Sequence, residues 1–490
     1  MATSEDSSVE VNDTSGASLE SESMPPCSSA SAAYALRDPY LLRHRAVYFL
    51  GALIMAAYYP FVVQLWTAHD GAALDISQAG AVLAGAAITS ALAAPILTML
   101  ADRGERWRRA LLVGGFALQG AAIFFAGFAR GWPALLLLHS LAQIGGAGAW
   151  PVADAATSRL AALVPQLPRY GGVRVFASVG WGGGGVASGA LYDFVDRRAA
   201  FVVAAGAAAV TAVLAAGLPL ESKKASSHAR TVALRALLTP SAAAFVVAIT
   251  VGAALNSAVD NFRGVFLEML GASDAQVGAS LAVSAAAEVP AFLLAPALLA
   301  RFGAPRTLVV ALLAFAMRFL GLGAIASAYH STKEGGLGLL AAAAACDVLH
   351  GAAFAFSWTA AVDYFSKLFP VELAASAQAI LAAIQWGIGS ALGAAVMGSA
   401  IHVWGWRDAW RAGAACAALA AVLAAIAGRG DNANPDDGET ERETTDYAHS
   451  SSTTSTATAT TLHSDDIPTR ALRGAGTLPV ADGWDTLVRT

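Results

Sequence analysis

The sequence predicts an all-α polytopic membrane protein of about twelve transmembrane helices in two six-helix halves. Three observations predict it. Of the 490 residues, 56% are hydrophobic and only 13% are charged. An average soluble domain carries roughly 25% charged residues, so lipid is the expected solvent. The apolar residues fall into runs of the length, about twenty residues, that crosses a bilayer. Basic residues alternate regularly between the loops joining those runs.

The predicted spans are 44–66, 76–100, 109–128, 132–158, 171–193, 198–219, 240–268, 275–300, 306–328, 336–364, 372–402 and 407–428. The second, third and twelfth are uninterrupted; the fourth, fifth, seventh and tenth contain charges that require a reason. Arg37, Arg43 and Arg45 precede span 1. Arg103, Arg106, Arg108 and Arg109 follow span 2, Arg169 follows span 4, and Lys223, Lys224, Arg230 and Arg235 follow span 6. Arg301 and Arg306 follow span 8, and Lys367 follows span 10. The other side holds fewer: Arg130, Arg197, Arg198, Lys333 and Arg407. By the positive-inside rule the even-numbered loops and both termini are expected in the cytoplasm. The plasma membrane and the endomembranes are not distinguished by this pattern.

The flanks differ from the core. Residues 1–40 and 429–490 are rich in Ser, Thr, Asp and Glu, and are expected to be disordered cytoplasmic tails. No secretory signal peptide is expected ahead of the first apolar run, because the N-terminal stretch is acidic and polar, and no retention or lipidation signal is expected from TLVRT. The net charge of −5 gives no basic excess to suggest nucleic acid. Cys27, Cys346 and Cys416 are too few for a disulfide framework and lack metal-ligand neighbours; the latter two read as small buried hydrophobes. No cofactor is implied.

An internal repeat divides the core. AAPILTMLADRGERWRRALL from Ala93 and LAPALLARFGAPRTLVV from Leu294 each read as a span ending, a basic turn with glycine, and a new span. The polar stretch 220–237 lies near the middle. The expected organisation is an N-terminal half over 41–219, a central cytoplasmic loop over 220–237 and a C-terminal half over 238–428. Two halves around a midplane site is a common secondary-transporter plan.

Charges within spans are costly and usually face a cavity. Span 7 holds Asn256, Asp260, Asn261 and Arg263; span 8 holds Glu288; span 9 holds Arg318; span 10 holds Asp347, His350 and Asp363. Asp347 and His350 share a helix face, as do Asp260 and Arg263. One reading is that these residues pair to hold helices together. The other is proton coupling: a carboxyl in an apolar cavity holds a proton, a nearby guanidinium expels it, and histidine titrates in the physiological range. In the N-terminal half, Asp154, Arg174 and Trp181 offer a carboxylate, a guanidinium and an indole, groups suited to hydroxyls and to the C–H face of a ring. Asp154 and Arg174 also read as a salt bridge closing a gate, and Trp181 as packing.

These residues resemble the major facilitator superfamily over 44–428. The nearest branch is that of the oligosaccharide:proton symporters typified by lactose permease, with the related nucleoside and phenylpropionate permeases and the eukaryotic major facilitator domain-containing protein 6-like group. TMLADRGERWRR resembles the superfamily's gating-loop motif, with Asp102 and Arg103 present and Thr98 in place of its first glycine. YGGVRVFASVGWG, AEVP at 287–290, AMRFLG at 316–321 and AASAQAILAAIQWGIGSALG at 374–393 resemble the branch more specifically.

The resemblance implies that Asp154, Arg174 and Trp181 bind solute, and that Glu288, Arg318, Asp347, His350 and Asp260 serve proton coupling. Ala353 stands where the branch carries its proton-bearing glutamate, and Asp347 is the substitute one turn earlier. Gln385 and Trp386 lie where a lysine would neutralise Asp260, and Arg263 is expected to take that role. Glu288 is one turn from the branch's sugar-coupled glutamate. The expected function is proton-coupled symport of a small polar organic solute, a sugar or nucleoside, by alternating access. The partners are solute, proton and lipid bilayer, and the chain is expected to be a monomer. The alternatives are an uncoupled facilitator and a non-transporting receptor or scaffold. An enzyme is not expected, since no nucleophile or metal cluster adjoins the buried Asp and His.

Overall fold

The computed structural model describes residues 39–68, 73–163, 170–220, 237–369 and 374–430. The two tails and nearly all of the central loop lie outside the described residues. Nine described helices are long and apolar enough to cross a membrane. Two of them are too long for one crossing: at 1.5 Å per residue, a 59-residue helix would be nearly three bilayer cores long. Each reverses at a glycine in the left-handed region, Gly303 (φ 73°) and Gly405 (φ 75°). A side chain at such a φ would clash with its own backbone, so glycine makes both reversals possible. The Gly-rich helix Tyr170–Phe194 is a further crossing. Twelve crossings are therefore present among the described residues, and they fall close to the predicted ones.

Span 1 departs from expectation. It runs as a helix from Pro39 to Ala56, tightens to a 3₁₀ turn at Tyr59–Phe61 and resumes at Val62–Thr67. Pro60 has no N–H to donate and forces the break. Span 11 is irregular too, with π-helical turns over Ala383–Gly389.

The repeat reappears as paired helix starts. Span 2 begins with a capping box in which Gln78 N–H donates to Asp75 (2.8 Å) and Asp75 N–H donates to the Gln78 side chain (3.2 Å). Span 8, the matching helix of the other half, begins with the same device built from Ser273 and Gln276.

Within the N-terminal half, span 4 (Trp132–Leu163) packs on span 2 (Ile76–Ala101) and span 3 (Glu105–Ala126), and span 5 packs on span 1. In the C-terminal half, span 7 (Pro240–Met269) packs on span 11, and spans 8 and 9 pack on span 10 (Leu337–Leu368). Alanine and glycine dominate these seams and let backbones approach closely. Large apolar residues point outward, among them Val213 and Leu419, where lipid rather than water is the matching solvent. Cys416 is on that outer surface rather than in the interior expected for it, and Cys346 is half-buried.

Among the described residues, the halves meet on the face opposite the basic loops. Gly80 of span 2 lies against Ala394 and Gly398 of span 11, and Gly185 and Gly189 of span 5 lie against Leu281 and Asp274 of span 8. Asp193, at the end of span 5, accepts hydrogen bonds from the first amides of span 8, Asp274 N–H (3.0 Å) and Ala275 N–H (2.8 Å). A carboxylate at a helix N-terminus is favourably placed against the helix dipole. On the basic-loop face, Arg43 and Arg108 cap the last carbonyls of span 6 (Arg197–Ala216) and its continuation, donating to Gly217 O (2.9 Å) and Leu220 O (2.6 Å). Arg109 donates to Ala216 O.

Candidate functional site

The C-terminal half contains a buried chain of charge. Asp347 of span 10 is fully buried and lies between two guanidiniums. Arg318 Nη2 of span 9 donates to its Oδ1 at 2.6 Å, and Arg263 Nη1 of span 7 lies 3.0 Å from its Oδ2. Ser280 of span 8 donates its hydroxyl to the same carboxylate, and Arg263 also donates to Ser284 Oγ at 3.1 Å. One turn along span 10, His350 Nδ1 meets Arg318 Nη1 at 2.8 Å, and its Nε2 meets Glu288 Oε1 of span 8 at 3.2 Å.

This geometry assigns the protons. Arginine only donates, so His350 Nδ1 must be the acceptor. The ring hydrogen is therefore on Nε2, which donates to Glu288. Along the chain two guanidiniums, Arg263 and Arg318, face two carboxyl groups, Asp347 and Glu288, with the imidazole between Arg318 and Glu288. Arg318 Nη1 thus covers the ring nitrogen that carries no hydrogen.

The N-terminal half holds a smaller group. Arg174 Nη1 of span 5 donates to both oxygens of Asp154 of span 4, at 2.7 and 2.9 Å. Tyr48 of span 1, itself buried, donates to Asp154 Oδ1 at 2.5 Å. The ion pair is about one-third exposed, 39% for Arg174 and 33% for Asp154, so water or solute can reach it. Trp181 is half-buried two turns beyond Arg174, and no described ring contact or hydrogen bond joins it to the pair. It precedes Gly182, which faces Ala282 and Ala285 of the other half.

Asp260 is not part of the chain. It accepts from Asn256 Nδ2 at 2.7 Å, one turn back on its own helix. The expected pairing of Arg263 with Asp260 does not form among the described residues. Arg263 turns instead to span 10, where Asp347 offers a fully buried carboxylate. Asp363 pairs with Lys367 near the end of span 10 (2.8 Å). Asp102 and Arg103 are exposed on the turn after span 2. That turn is fastened to the end of span 6 through Arg108, whose Nη1 also donates to Ala101 O (3.2 Å).

Sequence reasoning missed Tyr48, Ser280 and Ser284. The serines carried a signal: Ser280, Ser284 and Glu288 are spaced by four and share one face of span 8. Tyr48 had none, since an isolated tyrosine in an apolar helix reads equally well as packing.

Twelve crossings in two halves, with a buried charge chain and a partly exposed ion pair within the spans, define a transporter of the major facilitator type. The chain belongs to the MFS_1 like family, whose model matches residues 41–412. Among solved structures it is similar to the nucleoside transporter NupG, with a TM-score of 0.67 and 16% identity over 80% of this chain and 99% of that one. It is also similar to a peptide transporter POT (TM-score 0.62, 14% identity, 82% and 99% covered). A bacterial homolog of the human lysosomal transporter Spinster, solved inward-facing and occupied, matches with a TM-score of 0.58 and 17% identity over 80% and 97%. At such identities these likenesses describe the fold. No curated protein matches the chain by sequence.

Proposed function

We propose that the protein is a proton-coupled symporter of a small polar organic solute, a sugar or nucleoside, working by alternating access. The observation that carries this reading is the series Arg318–His350–Glu288: a guanidinium, an imidazole and a carboxylate in line, buried between spans 8, 9 and 10. Helix glue needs no titratable imidazole between an arginine and an acid. A proton carrier does, because a shift of span 9 relative to span 10 frees Nδ1 and changes what Glu288 can hold. Asp347, with Arg263 on its other side, anchors the series. Asp154, Arg174 and Trp181 engage solute from the N-terminal half, with Tyr48 orienting Asp154. Asp260 of span 7, held by Asn256, belongs to the same coupling set.

With the basic loops and both termini in the cytoplasm, the closed face of the molecule is the outer one. The glycine seams and the Asp193 cap are then the contacts that must part when the site opens outward, and the turn at Asp102 and Arg103 belongs to the opposing gate.

The test is uptake of a solute library by proteoliposomes at two external pH values, with and without a protonophore. Symport requires accumulation that rises as the external pH falls and collapses with the protonophore. Uptake indifferent to both identifies an uncoupled facilitator. No flux of any solute identifies a receptor or scaffold.

A further inference from the structure

We propose that the C-terminal half holds a binding site for a planar nitrogen heterocycle, built from Phe354 and Trp358 of span 10 and Trp386 of span 11 beside His350 and Glu288. This rests on the transporter reading and deepens it by naming the chemistry of the solute.

The site begins with the irregular stretch of span 11. The π-helical turns Ala383–Gly389 hold more residues per turn than an α-helix, a rare geometry that occurs often at functional sites. They are pinned by hydrogen bonds outside the regular ladder. Ser390 Oγ donates to Gln385 O, five residues back, at 3.2 Å, and Ser257 Oγ of span 7 donates to Ser390 O at 3.0 Å. The outer, lipid-side face of span 11 is marked by Ile388, Leu392 and Val396, exposed at i, i+4 spacing. Trp386, two residues before Ile388, projects to the opposite side. Its ring centroid lies 6.3 Å from Trp358 and 6.4 Å from Phe354.

Trp386 nevertheless remains 47% exposed. A core tryptophan would be covered, and a tryptophan of the interfacial belt would point outward. This one leaves indole surface open on the side that faces Phe354 and Trp358 of span 10. The adjoining rings continue inward. Phe354 is parallel to the His350 imidazole, with centroids 5.7 Å apart and planes within 1°, and meets Phe292 of span 8 edge-on at 6.2 Å. Trp386 tilts 50° from Phe354 and 42° from Trp358, so the rings form a wedge. A wedge accepts a flat π-system by offset stacking on one wall and edge contact with the other.

At the inner end the Glu288 carboxylate accepts from His350 Nε2–H and has lone pairs left to accept from a ligand. That edge suits a neutral ring with N–H donors and disfavours an aromatic acid. A saturated sugar would leave the aromatic walls without a partner. An apolar, aromatic-lined site with a few placed polar groups is the usual form of a small-molecule pocket.

The experiment uses the purified full chain. Adenosine, uridine and indole are compared with glucose and lactose, first by thermal stabilisation and then by competition for uptake. Wild type is measured beside Trp386→Ala and Trp386→Phe. The nitrogen heterocycles should raise the melting temperature and the sugars should not. Trp386→Ala should weaken the best heterocycle roughly tenfold, and Trp386→Phe by about threefold or less, as expected for loss and partial retention of one aromatic wall. Proton-driven uptake of a saturated sugar with the same affinity in Trp386→Ala overturns the ring site and leaves the symport reading intact. Heterocycle binding that depends on Trp386 without proton-dependent uptake does the reverse. No stabilisation by any heterocycle also overturns the proposal.

Discussion

Arg318 and His350 are both buried and meet at 2.8 Å, Nη1 against Nδ1, so the imidazole is held with its only hydrogen directed at Glu288. Glu288→Gln keeps the size of the side chain and a hydrogen-bond acceptor for His350, so folding should survive. Without a titratable carboxyl, accumulation against a gradient should fall to background while exchange of solute across the membrane persists. Radiolabelled uptake and counterflow in the same proteoliposomes separate the two; accumulation at the wild-type level would remove Glu288 from coupling.

Asp347 is the opposite case, since two guanidiniums depend on it. Asp347→Asn should destabilise the protein by about 3–5 kcal/mol, the usual cost of leaving buried charge unpaired. Removing one of those charges as well, in Asp347→Asn with Arg263→Gln, should recover a large part of the loss. Thermal unfolding in detergent of the single and double variants reads this directly. Arg318→Ala is a poor test of coupling for the same reason, because it strands the same carboxylate.

The Asp154–Arg174 pair should behave differently. At about one-third exposure its contribution to stability is discounted to about 0–1 kcal/mol. Asp154→Asn and Arg174→Gln should therefore leave the melting temperature nearly unchanged and raise the half-saturating solute concentration at least tenfold. Tyr48→Phe, which removes the 2.5 Å donor to Asp154, should produce a smaller rise in the same quantity. A large loss of stability with unchanged affinity would mark the pair as a gate strut.

The glycine seams predict a conformational bias. A Cβ on Gly80 would strike the Ala394 carbonyl and Gly398, and one on Gly185 would strike Leu281. Gly80→Val and Gly185→Val should prevent closure on that face and populate the alternative state. Asp193→Ala should favour it to a lesser degree by releasing the span 8 cap. Single cysteines placed near Asp193, reacted with an impermeant maleimide, should label faster in these variants.

Much of the architecture was legible because lipid leaves few choices. Span length, the alternation of Arg and Lys, and the repeated Gly-containing turns are each set by local chemistry, and the crossings at Ile76–Ala101 and Glu105–Ala126 fall within a few residues of expectation. The break in span 1 was signalled by Pro60, yet its apolar run read as continuous. The π-helical turns of span 11 were not read from the run itself; Ser390 donates back to Gln385 O, and Ser257 of another helix fixes the Ser390 carbonyl just beyond them.

The sequence by itself determined that the chain is helical, spans a membrane in two halves and buries a set of titratable groups. Helical period and bilayer thickness follow from neighbours along the chain. Only the tertiary structure decided which charge meets which. Arg263 shares a helix face with Asp260 and pairs instead with Asp347, 84 positions away, where it and Arg318 flank a fully buried carboxylate, while the less buried Asp260 is served by Asn256. That choice depends on burial, which no spacing rule encodes, and it makes Asp347 the anchor of the series that ends at Glu288.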